Sequence, residues 1–490
     1  MPLDARTPVL VGAAAVQQRE DDFRCAAEPL ELMARALVGA ANDAGKPALL
    51  ARADSIRVPR GFWDYRDPGR ALAERFGAAD VRTQLAEIGV LQTTLLASAA
   101  RDILEGQADV VLVTGGEARH RAQCARREGS EAPLTRQADI VPDQVLRPVA
   151  EIMHPLELRA GLVMPVMQYA LIENALRAAR GQTPDAQRDE LAELWAGMSR
   201  VAADNPDAWR REPLSCAEIR DPGEHNPMVA FPYTKLHNSQ WNVDQAAGLI
   251  LTSLETADSL GIPAEKLVFP LAAAESNHML PLSQRPALHR SFGFAHAGAR
   301  ACAHAGLAAE QLDHLELYSC FPVAVRVQQQ EFGIGASRPV TVTGGMAFAG
   351  GPLNNFVLQA LVRLAQVLRA EPGATGLVSA VSGMLTKQGV SLWASRAPDA
   401  GFAWHDVSEA SARDTGMAEL CDATQAEACV ASCTVLFENG RPARTLFVCD
   451  LDDGRRSLAA SPDPALAEQA QREELIGRRL RLADGTAELS

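Results

Sequence analysis

What these 490 residues lack narrows their chemistry first. No segment reaches about 18 uninterrupted apolar residues, so no membrane span is expected. The most apolar stretch, Gly161 to Ala179, carries Gln168, Tyr169, Glu173 and Asn174, which suits a half-buried amphipathic helix. The opening MPLDARTPVLVGAAAV has no cationic start, sustained apolar run or small-residue cleavage site. It reads as no signal peptide, and a cytoplasmic location is expected. A formal charge of −14 withholds the concentrated basic surface that nucleic acid requires, although a local basic pocket for an anion remains compatible with it. The nine cysteines are scattered, odd in number and without a Cys-x-x-Cys pair, which fits reduced thiols better than a disulfide framework or a zinc site. No Gly-x-Gly-x-x-Gly follows the first strand, and Gly-x-Ser-x-Gly does not occur. The fingerprints of a dinucleotide fold and of an α/β-hydrolase elbow are therefore missing. Asp450 to Asp453 fits a turn better than a ligand set, and no metal site is expected.

The length allows two or three domains around a large core. Strand-like PVLVG leads into a helical period over Pro29 to Ala44, then DSIRVP, a helix through Leu95 to Leu104, and DVVLVTGGE. The same grammar returns as GLILTS, LVFPLAAAES, a helix over Ala287 to Ala305, HLELYSC, a helix over Asn355 to Arg369, and TGLVSAVS with GVSLWAS. This alternation predicts two α/β halves with parallel sheets, over 1–117 and 245–400. Between them, 118–244 is richer in charge, proline and long helical periods, including Met164 to Arg180 and Pro184 to Ala203, as an inserted helical lobe would be. Past a boundary between Ser395 and Ser411 the pattern becomes strand, turn at Asn439-Gly440, strand, turn at Asp452-Asp453-Gly454, strand. With a helix over Pro464 to Leu475 and a last strand near RRLRLA, residues 410–490 are expected to form a small β-rich domain.

Several stretches resemble one family. EPLELMARALVGAANDAG and WDYRDPGRALAERFGA look like the opening half of thiolase-like proteins, and DVVLVTGGEA is similar to their strand ending in Gly-Gly before an acidic residue. MVAFPYTKLHNSQWNVDQAAGLIL resembles the entry to the second half, and LELYSCFPVAV stands in the place of the Asn-Glu-Ala-Phe motif. VTGGMAFAGGPLNNF, Val342 to Phe356, resembles the signature around Gly-His-Pro. Together YSCFP, PYTKL, VDQAAG and LTKQG resemble thiolase-like protein type 1, a group that also carries an extra C-terminal domain. The order and spacing hold over Thr7 to Ser395. The resemblance implies an α/β fold of two βαβαβαββ halves in five αβαβα layers. It also implies acetyl-CoA acetyltransferase-like chemistry in lipid metabolism, with coenzyme A or acyl-CoA as substrate or ligand and no permanently bound cofactor.

That chemistry needs a thiolate nucleophile at the start of the long first-half helix. Arg82 to Leu96 contains no cysteine, and Gly89 or Val90 falls at the nucleophile position. Gly351 stands for the histidine, and Val381 or Ser382 for the cysteine of Cys-x-Gly. Tyr318 and Ser319 replace Asn-Glu. Each lost acid-base group costs about 10² to 10⁴ in rate, and a lost nucleophile removes the covalent route. What can survive is an oxyanion hole of the Gly89 and Val90 amides, with Gly350 and Gly351 letting a thioester approach.

Replacement candidates are Cys320, as a buried hydrophobe or a relocated nucleophile, together with Tyr318 and Lys387 as donors to a thioester oxygen. Lys387 is a base if desolvated and a plain solvated lysine otherwise. His237 and Asn238 are candidates to touch CoA or to satisfy the lobe internally. His154 is expected to be structural, and Glu117 to hold its strand end. Three roles follow: an acyltransferase or retro-Claisen thioester enzyme, a noncatalytic acyl-CoA binding module, or a subunit of an acyl-handling complex with a protein partner on the C-terminal domain. Thiolases pair through the edge of the first-half sheet, so monomer and homodimer both stay open, and an added domain could cover that edge.

Overall fold

Helices begin where the chain supplies caps. Asp67 accepts from the Arg70 amide ahead of Pro68, and Thr183 accepts from the Ala186 amide ahead of Pro184, each occupying an orphan donor of a first turn. The structure, a computed structural model, describes residues 4–484 and 486–489, so the first three residues of the expected first half lie outside it.

The first half runs β1 (Pro8–Gln17), α1 (Pro29–Asp43), β2 (Ser55–Pro59), α2 (Pro68–Phe76), β3 (Arg82–Ala86), α3 (Gln92–Leu104) and β4 (Val110–Ala118). The lobe adds α4 (Arg119–Arg127), β5 (Gln144–Leu146), α5 (Pro155–Arg159), α6 (Pro165–Ala179), α7 (Pro184–Asp204), α8 (Cys216–Arg220), β6 (Met228–Ala230) and β7 (Tyr233–Thr234). Next come β8 (Asp244–Ser253), α9 (Leu254–Ser259), β9 (Phe269–Ser276), α10 (Phe292–Ala305), β10 (His314–Glu316) and α11 (Pro322–Phe332). They are followed by α12 (Phe356–Ala370), β11 (Thr375–Ser382), β12 (Lys387–Ala394), β13 (Ala403–Asp406) and α13 (Ser408–Thr415). The tail is β14 (Gln425–Glu438), β15 (Arg441–Leu451), β16 (Arg456–Ser461), α14 (Pro464–Arg472), β17 (Arg479–Ala483) and β18 (Thr486–Leu489).

The first sheet has the order β1-β8-β4-β2-β3-β5 and the second β10-β11-β12-β9-β13. Both are mixed rather than parallel, because β8 runs antiparallel to β1 and β4, and β12 antiparallel to β11 and β9. The strand GLILTS, expected to open the second half at 245, thus lies inside the first sheet. All of β8 is buried, which suits a central strand covered on both faces. Helices α3 and α12 lie between the two sheets, α1 and α2 cover the outer face of the first, and α10 covers the second. These are the five αβαβα layers. Close layering needs small residues: a Cβ on Gly248 would sit 2.6 Å from the Ala36 carbonyl carbon.

In the tail, β14 pairs with both β15 and β17, closing a ring β14-β15-β16-β18-β17 with α14 between the third and fourth strands. This is a five-stranded barrel of the OB type. The lobe is sewn onto it. Strand β6 joins β14 at Ala230 and Leu436, Asn174 donates to the carbonyls of Phe231 and Cys433 at 3.0 and 2.8 Å, and Ser432 donates to Leu171 O at 2.7 Å. The edge strand β3 is paired by β5 of the lobe, so the lobe and not the C-terminal domain covers that edge. Among the described residues, no helix is long and apolar enough to cross a membrane.

Candidate functional site

The start of α3 lies between the halves, and three segments meet there. Lys387 opens β12 opposite Ser382 on β11, and its Nζ donates to Gly89 O at 2.6 Å. Only 3 % of Lys387 is exposed. Burial lowers its pKa, while the nearby Glu275 works to raise it. Glu275, on β9, is buried and accepts from Thr94 Oγ1 of α3 at 3.0 Å. Desolvation pushes its carboxyl up to about 7. Beside this pair opens a cleft of about 370 Å³, lined by Val90, Thr94, Glu275, Asn277, Trp404 and Asp406 among others. The structure therefore brings Val90, Ser382 and Lys387 together. It adds Glu275 and Thr94, which sequence reasoning missed. The only signal for Glu275 was an acid closing the apolar run LAAAE.

The other candidates are engaged elsewhere. The Val90 amide, expected in an oxyanion hole, donates to Glu87 O at 3.1 Å, which leaves it committed within its own turn. Ser319 is fully buried, and its Oγ accepts from the Met346 amide at 3.0 Å. The Tyr318 amide donates to Ser379 Oγ at 2.8 Å, and its ring meets Phe356 edge to face. Cys320 is buried, and desolvation pushes its thiol up to about 12. It is neutral near pH 7, the state of an inert packed thiol rather than of a nucleophile. Above it, Tyr169 of the lobe stacks on Phe321 at 4.5 Å, donates to Gly383 O at 3.1 Å and accepts from the Leu385 amide at 3.3 Å.

Gly351, at the histidine position, donates from its amide to Gln240 O at 2.8 Å, and Ser239 and Met346 fill the space beside it. Gly350 has φ 105° and presses so closely on Gln245 that a Cβ would overlap Oε1. Its lack of a side chain serves that packing. His237 is 2 % exposed, and desolvation brings it down to about 3, so it is neutral. Its Nδ1 faces the Thr234 amide and hydroxyl, while Asn238 donates to Thr234 O at 2.8 Å. Both residues hold a lobe turn, and neither offers a cation to a phosphate. His154 caps α5 by accepting from the Leu156 amide at 3.1 Å, and Glu117 accepts from the Phe62 amide at 2.7 Å.

Two sheets with a shared helical layer, an inserted lobe and an α3 start facing the second half give this chain a thiolase-like fold. Its particular likeness is to the type 1 kind. Over the whole of both chains it matches a monomeric SCP2-thiolase-like protein type 1 from Mycobacterium smegmatis, with TM-score 0.84 and 26 % identity. Human mitochondrial 3-ketoacyl-CoA thiolase covers 80 % of the chain with all of its own length, at TM-score 0.59 and 17 % identity. An Ltp2-ChsH2(DUF35) aldolase covers 80 % with 98 % of its own, at 0.60 and 18 %. Among curated sequences, acetyl-CoA acetyltransferases 2 and 1 of Arabidopsis thaliana are 31 % and 33 % identical over 140 residues, 29 % of this chain. The match spans about a third of their length. No protein-family model matches the chain.

Proposed function

We propose that this protein binds acyl-CoA thioesters and acts on them, in an acyltransferase or retro-Claisen sense, by proton transfer through Lys387 and Glu275 instead of a Cys/His/Cys set. The observation that carries this is a buried amine held on Gly89 O and a buried carboxyl held on Thr94 Oγ1, both set against the start of α3 beside an open cleft. A carboxyl brought up to about 7 carries or releases a proton near neutral pH, and burial lowers the Lys387 pKa in the direction that a base requires. In a retro-Claisen step, Lys387, once it has lost its proton, takes the proton of the attacking thiol or water, and protonated Glu275 returns one to the departing carbanion. Coenzyme A is then a substrate or ligand and not a resident group. The names of the thiolase and acetyl-CoA acetyltransferase relatives support this ligand class. A monomer is favoured by the covered β3 edge.

A second reading is a noncatalytic acyl-CoA module, alone or as a subunit. Its support is the lobe lying on the site: Pro148 meets Gly89 and Ile152 meets Gly383, with Tyr169 over Cys320. Incubation with 3-ketoacyl-CoA thioesters, read by free CoA and intact mass, tests the two. CoA release without a protein adduct supports the first reading. Retained binding without release supports the second, and no binding overturns both.

A further inference from the structure

Away from the α3 start, on the far side of the β11–β12 turn, a second cavity lies at the N-terminus of α10. Ser276, His278, Arg285, Arg290, Ser291 and Thr386 contribute to its lining, and none of the residues that line it is a carboxylate. It offers about 20 Å³ to the centres of water-sized spheres. This exceeds the roughly 10–15 Å³ that one ordered water needs.

Three polar side chains of this lining have atoms without a partner. Ser276 Oγ, Ser291 Oγ and His278 Nε2 make no hydrogen bond among the described residues, and Ser276 and Ser291 are 0 % and 4 % exposed. Ser291 is the N-cap of α10, yet its hydroxyl does not cap the helix. The first amides of the fourteen-residue α10 have no intrahelical acceptor and carry the positive end of the helix dipole. Gly293 keeps this end slim, since a Cβ there would overlap the Gln388 amide.

Charge points the same way. Arg285 is 5 % exposed, and its guanidinium donates to Leu280 O at 3.2 Å, Met384 O at 2.6 Å and Thr386 Oγ1 at 3.1 Å. All of these acceptors are neutral. The acid that acts on Arg285 through space, Glu157, makes no ion pair with it among the described residues and accepts instead from the Ser283 amide and hydroxyl at 2.8 and 2.7 Å. Arg290, by contrast, is neutralised by Glu331 at 2.8 and 3.0 Å, and Glu331 also accepts from the Ser291 amide. A buried guanidinium without a directly paired counter-charge is costly, and an anion joining it lowers that cost.

We propose that this cavity is a phosphate site, in which Arg285, the Ser276 and Ser291 hydroxyls and the first amides of α10 hold one tetrahedral oxyanion. The phosphate is free or belongs to a larger ligand such as a nucleotide-bearing thioester. The assignment stands apart from the thioester reading, because free inorganic phosphate tests it.

The test uses the full chain, with inorganic phosphate titrated at constant ionic strength against chloride and read by calorimetry and thermal midpoint. Phosphate is expected to bind and to raise the midpoint where chloride does not. Ser276→Ala with Ser291→Ala is expected to weaken phosphate about tenfold or more, by removing donors to a charged ligand. Without phosphate this variant keeps its midpoint, since neither hydroxyl has a partner to lose. Ser291→Ala alone gives the same direction should the double variant fail to fold. Unchanged phosphate affinity in the variants, or no preference for phosphate over chloride, overturns the proposal. Competition by CoA but not by dephospho-CoA identifies a ligand-borne phosphate, and competition by neither identifies free phosphate.

Discussion

The Lys387 ammonium reaches the Gly89 carbonyl across 2.6 Å, tying the second sheet to the turn that launches the central helix of the first half. A buried hydrogen bond from a charged donor is worth about 1.5–3 kcal/mol. Lys387→Met should lower stability by that order in urea titration. If the proposed proton transfer operates, it should also cut CoA release by about 10² to 10⁴. Unchanged release with a lowered midpoint would leave Lys387 a purely structural tie.

Glu275 makes stability depend on pH in a direction that can be worked out. Its carboxyl moves from an ordinary 4.5 up to about 7 in the folded state, so folding retains its proton more tightly. The contribution is present below 4.5 and is lost as pH rises through about 7. Glu275→Gln cannot ionise, so its stability relative to the parent should rise between pH 5 and pH 8, by roughly 1–3 kcal/mol. Denaturation at the two pH values checks this, and a constant difference contradicts it.

The two glycines of the Gly-Gly-Pro turn should respond differently. Gly350→Ala combines a φ of 105° with an overlap on Gln245, and a loss of about 1–3 kcal/mol or more is expected. Gly351→Ala meets Ser239 Cβ at 3.1 Å with an ordinary backbone, so the loss should be smaller. Gly351→His should not restore thiolysis, because the nucleophile position, Gly89 or Val90, still offers no nucleophile. Denaturant midpoints and thiolysis assays read all three.

Alkylation at pH 8 should follow exposure. Cys25 and Cys216 are exposed and should label first, whereas Cys320, with its thiol pushed up to about 12, should label only as the chain opens. Peptide mapping over time distinguishes the order. Cys320→Ser should fold and should leave any CoA release intact.

The alternation of strands and helices was legible because apolar runs and caps are local. Pro184 behind Thr183, and the Asn439-Gly440 turn with both residues at positive φ, announce themselves within a few residues. Sheet membership was not legible. GLILTS reads the same in either half, and only burial of all of β8 between β1 and β4 assigns it. The absence of a nucleophile was visible in Arg82 to Leu96, yet the joint placing of Lys387 and Glu275 at the start of α3 was not, since only the pairing of β9 with β12 brings their strands side by side. For Cys320 the sequence left a buried hydrophobe and a relocated nucleophile both open, because burial, which pushes its thiol up to about 12, is a property of the tertiary fold.

The pairing of β6 with β14 joins two parts of the chain that lie about 200 residues apart in sequence. Cutting near 410 divides the sequence cleanly but strips the lobe of the strand, carbonyls and hydroxyl against which β6 and α6 are set. Lobe and barrel are therefore expected to melt as one cooperative unit, which a single thermal transition would show. A barrel expressed alone would present to any bait a seam that the intact protein never shows, and what it captured would report on that seam rather than on a physiological partner.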